Sequence, residues 1–322
     1  MNKSEKWLNM IKRIILLSSL LLVFVEGTFS QQDPLLTHFI FNKMSFNPGS
    51  TGIEEGFSGT AIYRNQWGRV DGAPNTSIVN LEGNMSRFFP GGLGLNFYHD
   101  AIGFSRQNNF MLNYSYPLAI GRDILGIGLG VGMESFGMKP TWITPDQSSI
   151  GLADKSLPIG FTSAGLDFNF GLYFKSTKGF YLGLSSTHIN SATLKQGDAL
   201  STYKVARHVY AMAGYKTNPI GPGYIDAQLL MRSDLKKYSF DFNARYMLNV
   251  YNAYAGITYR TSDCISIILG MNPITNLTVG YSYDLTLSKL SSVSRGSNEI
   301  LIKYCYFLPV PPVTVTRNPR WL

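Results

Sequence analysis

The sequence predicts an all-β protein: a transmembrane antiparallel β-barrel of about fourteen strands behind an N-terminal signal peptide. Three observations carry this. Apolar and polar residues alternate with period two over long stretches. Beyond the amino terminus no segment holds the roughly 18 consecutive apolar residues of a spanning helix. Gly, Pro, Asn and Asp divide the alternation into an even number of segments.

Residues 1–30 are laid out as a secretory signal peptide. Lys3, Lys6, Lys12 and Arg13 precede an apolar run over 14–25, and small Thr28 and Ser30 occupy the positions that a signal peptidase reads. The run suits a signal core and falls short of the roughly 20 residues that cross a bilayer as a helix. Cleavage is expected after Ser30, leaving Gln31 first. An exported chain without a later apolar helix meets a membrane only through strands.

Composition agrees. Charged residues make up 15% of the chain, below the usual quarter or so, while aromatics reach 13%, which suits a wall facing lipid. The net charge of +8 is scattered over Lys and Arg with no run of five or more basic residues, so nucleic acid is not an expected partner. Cys264 and Cys305 would reach an oxidising compartment, but spacing alone does not bring them within bonding reach; two small wall residues is the plainer account.

The strands follow from the alternation. Leu277, Val279, Tyr281, Tyr283 and Leu285 interleave with Thr278, Gly280, Ser282 and Asp284, giving one apolar and one polar face. Phe240, Phe242, Ala244 and Tyr246 do the same with Asp241, Asn243 and Arg245, as do Leu166, Phe168, Phe170, Leu172 and Phe174 with Asp167, Asn169, Gly171 and Tyr173. Fourteen strands are expected near 56–67, 74–85, 91–101, 104–119, 123–138, 162–175, 179–190, 203–217, 223–233, 237–248, 252–262, 264–272, 277–288 and 298–308. An even count returns both termini to the periplasm, and the longest connections, 139–161, 191–202 and 289–297, then all fall outside, with tight turns such as Gly121-Arg122-Asp123 inside. Polar inward faces with few charges are expected to line the lumen.

Glycines recur at alternate positions, Gly126, Gly128, Gly130 and Gly132, which turns Ile127, Leu129 and Val131 to lipid and the glycines inward. Bending of the wall is the plainer explanation, and close approach of something inside the barrel is the alternative. The barrel, 56–308, is flanked by an irregular segment at 31–55 and a proline-rich tail at 309–322. The turn formers Asp33-Pro34 and Asn47-Pro48-Gly49 mark the first as a partial plug or a loose tail.

Candidate contact residues cluster at the first hairpin and in the tail. Arg64, Gln66, Trp67, Asp71, Gly72 and Pro74 lie where that hairpin leaves the membrane. The Trp67 ring suits either an interfacial anchor or a docking surface for a partner. In the tail, Pro311, Pro312 and Trp321 suit an extended ligand for a periplasmic partner. Chemistry is sparse: His38, His99, His188 and His208 are scattered, no HExxH, CxxC, GxSxG or phosphate loop occurs, and no catalytic residue, cofactor or metal site is expected.

Several of these motifs together resemble the PorP/SprF family. They are Gln31-Gln32-Asp33-Pro34, Thr37-His38-Phe39, Phe41-Asn42 and Phe46-Asn47-Pro48-Gly49, then Tyr63-Arg64-Asn65-Gln66-Trp67 with Asp71-Gly72-Ala73-Pro74-Asn75-Thr76. Gly92-Leu93-Gly94, Asp100-Ala101-Ile102-Gly103 and the final 298–305 strand are similar too. The resemblance implies a multi-pass outer-membrane protein that works with the type IX secretion machinery of Gram-negative bacteria, exporting surface proteins and in some cases gliding adhesins. Its implied partners are secretion-machinery proteins, a secreted surface protein or adhesin, a periplasmic peptidoglycan-linked protein and outer-membrane lipid. No catalysis is implied. A passive porin or small-solute transporter is the competing expectation, since a barrel of about fourteen strands is wide enough for a lumen.

Overall fold

A computed structural model describes residues 33–139, 160–195 and 202–307. Its strands are β1 (Phe57–Asn65), β2 (Asn75–Asn84), β3 (Gly92–Ile102), β4 (Ser105–Ile120), β5 (Asp123–Met138), β6 (Phe161–Lys175) and β7 (Phe180–Thr187). Then come a small hairpin, β8 (Thr193–Lys195) and β9 (Thr202–Lys204), and β10 (His208–Lys216), β11 (Gly223–Ser233) and β12 (Tyr238–Leu248). The last are β13 (Ala253–Arg260), β14 (Cys264–Ile274), β15 (Leu277–Thr286) and β16 (Ser297–Tyr306). Fourteen of them pair antiparallel, each with its chain neighbours, and β16 returns to β1, so that the described residues form a closed barrel with β8 and β9 outside it. Closure leaves no unpaired edge, the condition for crossing lipid with strands. No described helix is long and apolar enough to cross a membrane.

The period-two pattern sorts the side chains as the sequence predicts. Ile127, Leu129, Val131, Phe168, Phe170, Phe242 and Tyr281 are exposed on the outer face, while Asp167, Asn169, Asp241, Asn243, Ser282 and Asp284 are buried inward. Solvent exposure here is exposure to lipid, and Tyr63, Tyr259, Tyr304 and Tyr306 add aromatic rings to the outer belt. The expectation of few inward charges does not hold. Arg64, Glu134, Asp167, Arg232, Asp241, Arg245, Arg260, Asp284 and Glu299 all point into the barrel, because each stands at a polar position of the alternation.

Strand bounds agree within a few residues except on either side of the small hairpin. The expected strand 179–190 stops at Thr187 and 203–217 starts at His208. His188 and Ser191 adopt left-handed backbone angles, φ +53° and +44°, which turn the chain out of the ladder. Tyr203 keeps an alternating pattern but spends it on β9. Its ring stacks on Phe136 at 3.7 Å and joins Phe161, Leu194 and Val205 in a cluster over one mouth of the barrel.

At the end where β1 begins and β16 finishes the turns are short; the two-residue turn at Gly121 uses its left-handed φ of +63°. The first described residue, Asp33, lies beside His188 and His208 at the opposite end, so the described chain does not have both its ends on one side as the even strand count led one to expect: residues 33–56 run through the lumen before β1 begins. The long connections share the opposite end. The two cysteines are unpaired: Cys264 opens β14 at the long-loop end and Cys305 lies near the end of β16 at the short-turn end. Residues 1–30 and 308–322, with Pro311, Pro312 and Trp321, fall outside the described residues, as does most of the 139–161 connection.

The core of the molecule is inside the barrel. Residues 33–53 enter the lumen as short turns: 3-10 turns at Phe39–Phe41 and Pro48–Ser50 and one α-turn at Lys43–Phe46. Leu36, Phe39, Ile40, Phe46 and Ile53 of this segment pack against inward Ile62, Ile78, Tyr98, Tyr173, Tyr181, Tyr210, Met212, Leu230 and Leu301. Each apolar side chain buried this way contributes roughly 1.5–3 kcal/mol.

Candidate functional site

The contact between segment and wall explains the glycines. A Cβ on Gly126 or Gly128 of β5 would fall inside van der Waals contact of the Pro48 and Gly49 backbone, and one on Gly171 of β6 would strike Asn47. Close approach of the inner segment, and not wall bending alone, requires side chains this small. Polar bonds then lock it. Asn47 Nδ2 donates to the Leu172 carbonyl at 2.9 Å and its Oδ1 accepts from Gly49 N at 2.8 Å. Ser185 and Ser115 hydroxyls donate to the carbonyls of Phe46 and Gly49 at 2.6 and 2.9 Å.

A second lock lies beside the β1–β16 seam. Arg64 reaches Asp284 at 2.6 Å and Glu299 at 2.8 Å. Glu299 also accepts from the backbone N–H of Thr37 at 2.9 Å and of His38 at 2.7 Å, with His38 Nδ1 at 2.8 Å. The Thr37 hydroxyl donates to Asp284 at 2.9 Å and accepts from Arg64 at 3.1 Å. Next to it Arg260 grips Asp241 at 2.9 Å and donates to the Leu36 carbonyl at 2.9 Å, and Asp241 is shared with Arg232. The wall thus reads the backbone of residues 36–38 through buried, paired charges, which are stable only while every partner is present.

A third group holds the first described residue. The Asp33 carboxylate accepts from the Tyr210 hydroxyl at 2.5 Å and faces His188 Nε2 at 3.1 Å and His208 Nδ1 at 3.5 Å. Burial raises the Asp33 carboxyl, but the imidazoles of His208 and His188 outweigh it and hold it below the usual carboxylate range. Farther along, Lys43 sits 3.9 Å over the Tyr181 ring and donates to the Tyr173 hydroxyl at 3.2 Å. Burial pushes its ammonium down to about 8, with Glu54 and Asp226 opposing.

A cleft of about 1160 Å³ opens at the short-turn mouth, bordered by Glu54, Glu82, Arg87, Lys175 and Lys303. At the long-loop end the first-hairpin residues separate. Arg64, Gln66 and Pro74 are buried, with Arg64 committed to the inner lock, while Asp71 and Gly72 are exposed. Trp67 is half-buried in a left-handed conformation, φ +46°, and its backbone N–H donates to the Ser297 hydroxyl at 3.1 Å. Sequence reasoning missed the partners of Arg64 and the meeting of Asp33, His188 and His208. Residues 155 and 175 apart leave no linear spacing to read; only the Asp33-Pro34 and Thr37-His38 motifs pointed near them.

A family model described as type IX secretion system membrane protein PorP/SprF matches residues 28–304. No curated protein matches the chain. Among solved structures it is similar in fold to the CymD monoaromatic hydrocarbon channel, at 12% identity over 83% of this chain and 93% of that one, with a TM-score of 0.49. The Ralstonia pickettii toluene transporter TbuX gives 11%, 83%, 94% and 0.49, and Acinetobacter baumannii Omp33 gives 8%, 80%, 100% and 0.44.

Proposed function

The chain belongs to the PorP/SprF family of type IX secretion system membrane proteins, and on that premise we propose that it is a plugged outer-membrane scaffold. It supports export or surface anchoring of secreted proteins or adhesins through protein–protein contacts, without catalysis. The observation that carries this is the filled lumen: residues 36–51 are locked to the wall by the Arg64, Arg260, Asn47 and Ser185 bonds. A lumen occupied in this way favours a scaffold over an open pore.

In this reading the short-turn end, where β16 finishes, faces the periplasm, and a peptidoglycan-linked partner meets there the cleft beside Lys175 and Lys303. The tail with Pro311, Pro312 and Trp321 serves there as a ligand for that partner, and the long loops around Trp67 and Asp71 face the cell exterior and the cargo. The test is affinity purification from native outer membrane in mild detergent, with mass spectrometry of what stays bound, paired with planar-bilayer recording. Secretion-machinery proteins or a surface adhesin with negligible conductance is the expected result. The barrel alone, conducting ions, would replace the scaffold with a porin.

A further inference from the structure

Three carboxylates, two of them fully buried, surround His188, and the charges around it do not balance. Glu134 of β5 and Asp167 of β6 are inward and buried, and Asp33 approaches from the inner segment. No Lys or Arg among the described residues forms an ion pair with any of the three. The carboxylates are firmly positioned. Asn109 donates to Glu134 Oε2 at 2.7 Å and to Asp167 Oδ2 at 3.1 Å, Tyr98 donates to Glu134 Oε2 at 3.3 Å, and Phe168 N donates to Asp167 Oδ1 at 2.9 Å.

Two atoms of this cluster, Glu134 Oε1 and His188 Nδ1, make no hydrogen bond. Glu134 Oε1 is buried with neither a donor nor an acceptor, in a residue that is 0% exposed. An ionised carboxylate left so is costly, and a protonated one would need an acceptor that the oxygen lacks. The missing partner is therefore a group that an anionic oxygen binds directly.

The geometry points to a divalent transition-metal site formed by Glu134, Asp167 and His188 Nδ1. Their ligand atoms all lie within 4.8 Å of one another, and His188 Nδ1 is 2.7 Å from Asp167. Donor atoms around a tetrahedral ion with bonds of about 2.1 Å stand about 3.4 Å apart, so small side-chain rotations that open the His188–Asp167 pair and draw in Glu134 form the shell. Two carboxylates and one imidazole suit zinc, manganese or ferrous ions. The other ring nitrogen completes the pattern: His188 Nε2 faces Asp33 at 3.1 Å, the carboxylate partner that commonly orients a metal-bound imidazole. Asp33 in turn takes the Tyr210 hydroxyl at 2.5 Å, so the ion would clamp the start of the inner segment to the wall.

The test uses the full barrel in detergent, stripped by chelator and titrated with Zn²⁺ and, separately, Mn²⁺, with metal content of the unstripped protein measured alongside. One ion per chain is expected. Glu134→Gln and His188→Gln should each weaken binding about 100-fold or more, Asp33→Asn about 10–100-fold through the lost orienting bond, and His208→Ala, which removes only a 3.5 Å neighbour of Asp33, should weaken it less than Asp33→Asn. Heat-modifiable gel mobility identifies variants that still form the barrel; if Glu134→Gln fails this check, Glu134→Asp and His188→Gln carry the comparison. Absence of saturable binding to the wild type overturns the site. So does binding that survives Glu134→Gln but is lost in His208→Ala, which would place the ion among Asp33, His188 and His208 instead.

Discussion

Arg64 and Glu299 stand directly opposite each other across the seam where the last strand closes on the first, and their side chains meet at 2.8 Å inside the barrel. The same two groups hold Thr37 of the inner segment, so closure of the wall and seating of the plug share one set of charges.

Removing one member leaves the others buried and unpaired. Arg64→Ala should destabilise the barrel by about 3–5 kcal/mol, read as a lower midpoint in the heat-modifiability or urea transition in detergent. An unchanged midpoint would mean that water has access to this pair and that the lock is not structural.

Gly128→Val places a branched side chain where Pro48 and Gly49 lie. It should expel the inner segment while the outer wall stays intact, seen as new protease cleavage within 33–53 and as ion conductance absent from the wild type. Leu129→Ala, on the lipid face, is the matched control and should show neither.

Lys43 ties plug seating to pH. Its folded-state value of about 8 lies below the 10.5 of the free side chain, so the unfolded chain binds more protons between these values and this residue's contribution to stability rises with pH across that window. Below about pH 8 the cost of the buried charge is constant. Comparing the thermal midpoints of wild type and Lys43→Met near pH 7.5 and 9.5, the wild type should gain on the variant at the higher pH; parallel shifts would show that the ammonium is solvated in the folded state.

Trp67→Ala separates the two uses of its ring. If the long-loop end docks cargo, retention of the surface protein should be lost while gel mobility stays heat-modifiable. Loss of the folded barrel itself would assign the ring to anchoring.

The sequence by itself determined the wall. Period-two alternation over strands such as Leu277–Thr286 decides which side chains meet lipid, and turn residues decide where strands end; both are local properties of a pleated chain. It also marked the segment around Asn47-Pro48-Gly49 as special, though not what it touches. Only the tertiary structure decided that Arg64 faces inward onto Glu299, that Gly126 and Gly128 make room for a backbone, and that Asp33, Glu134, Asp167 and His188 converge. These depend on which residues a closed lumen brings level across many strands, and barrel closure joins positions more than 200 residues apart with no trace in linear spacing.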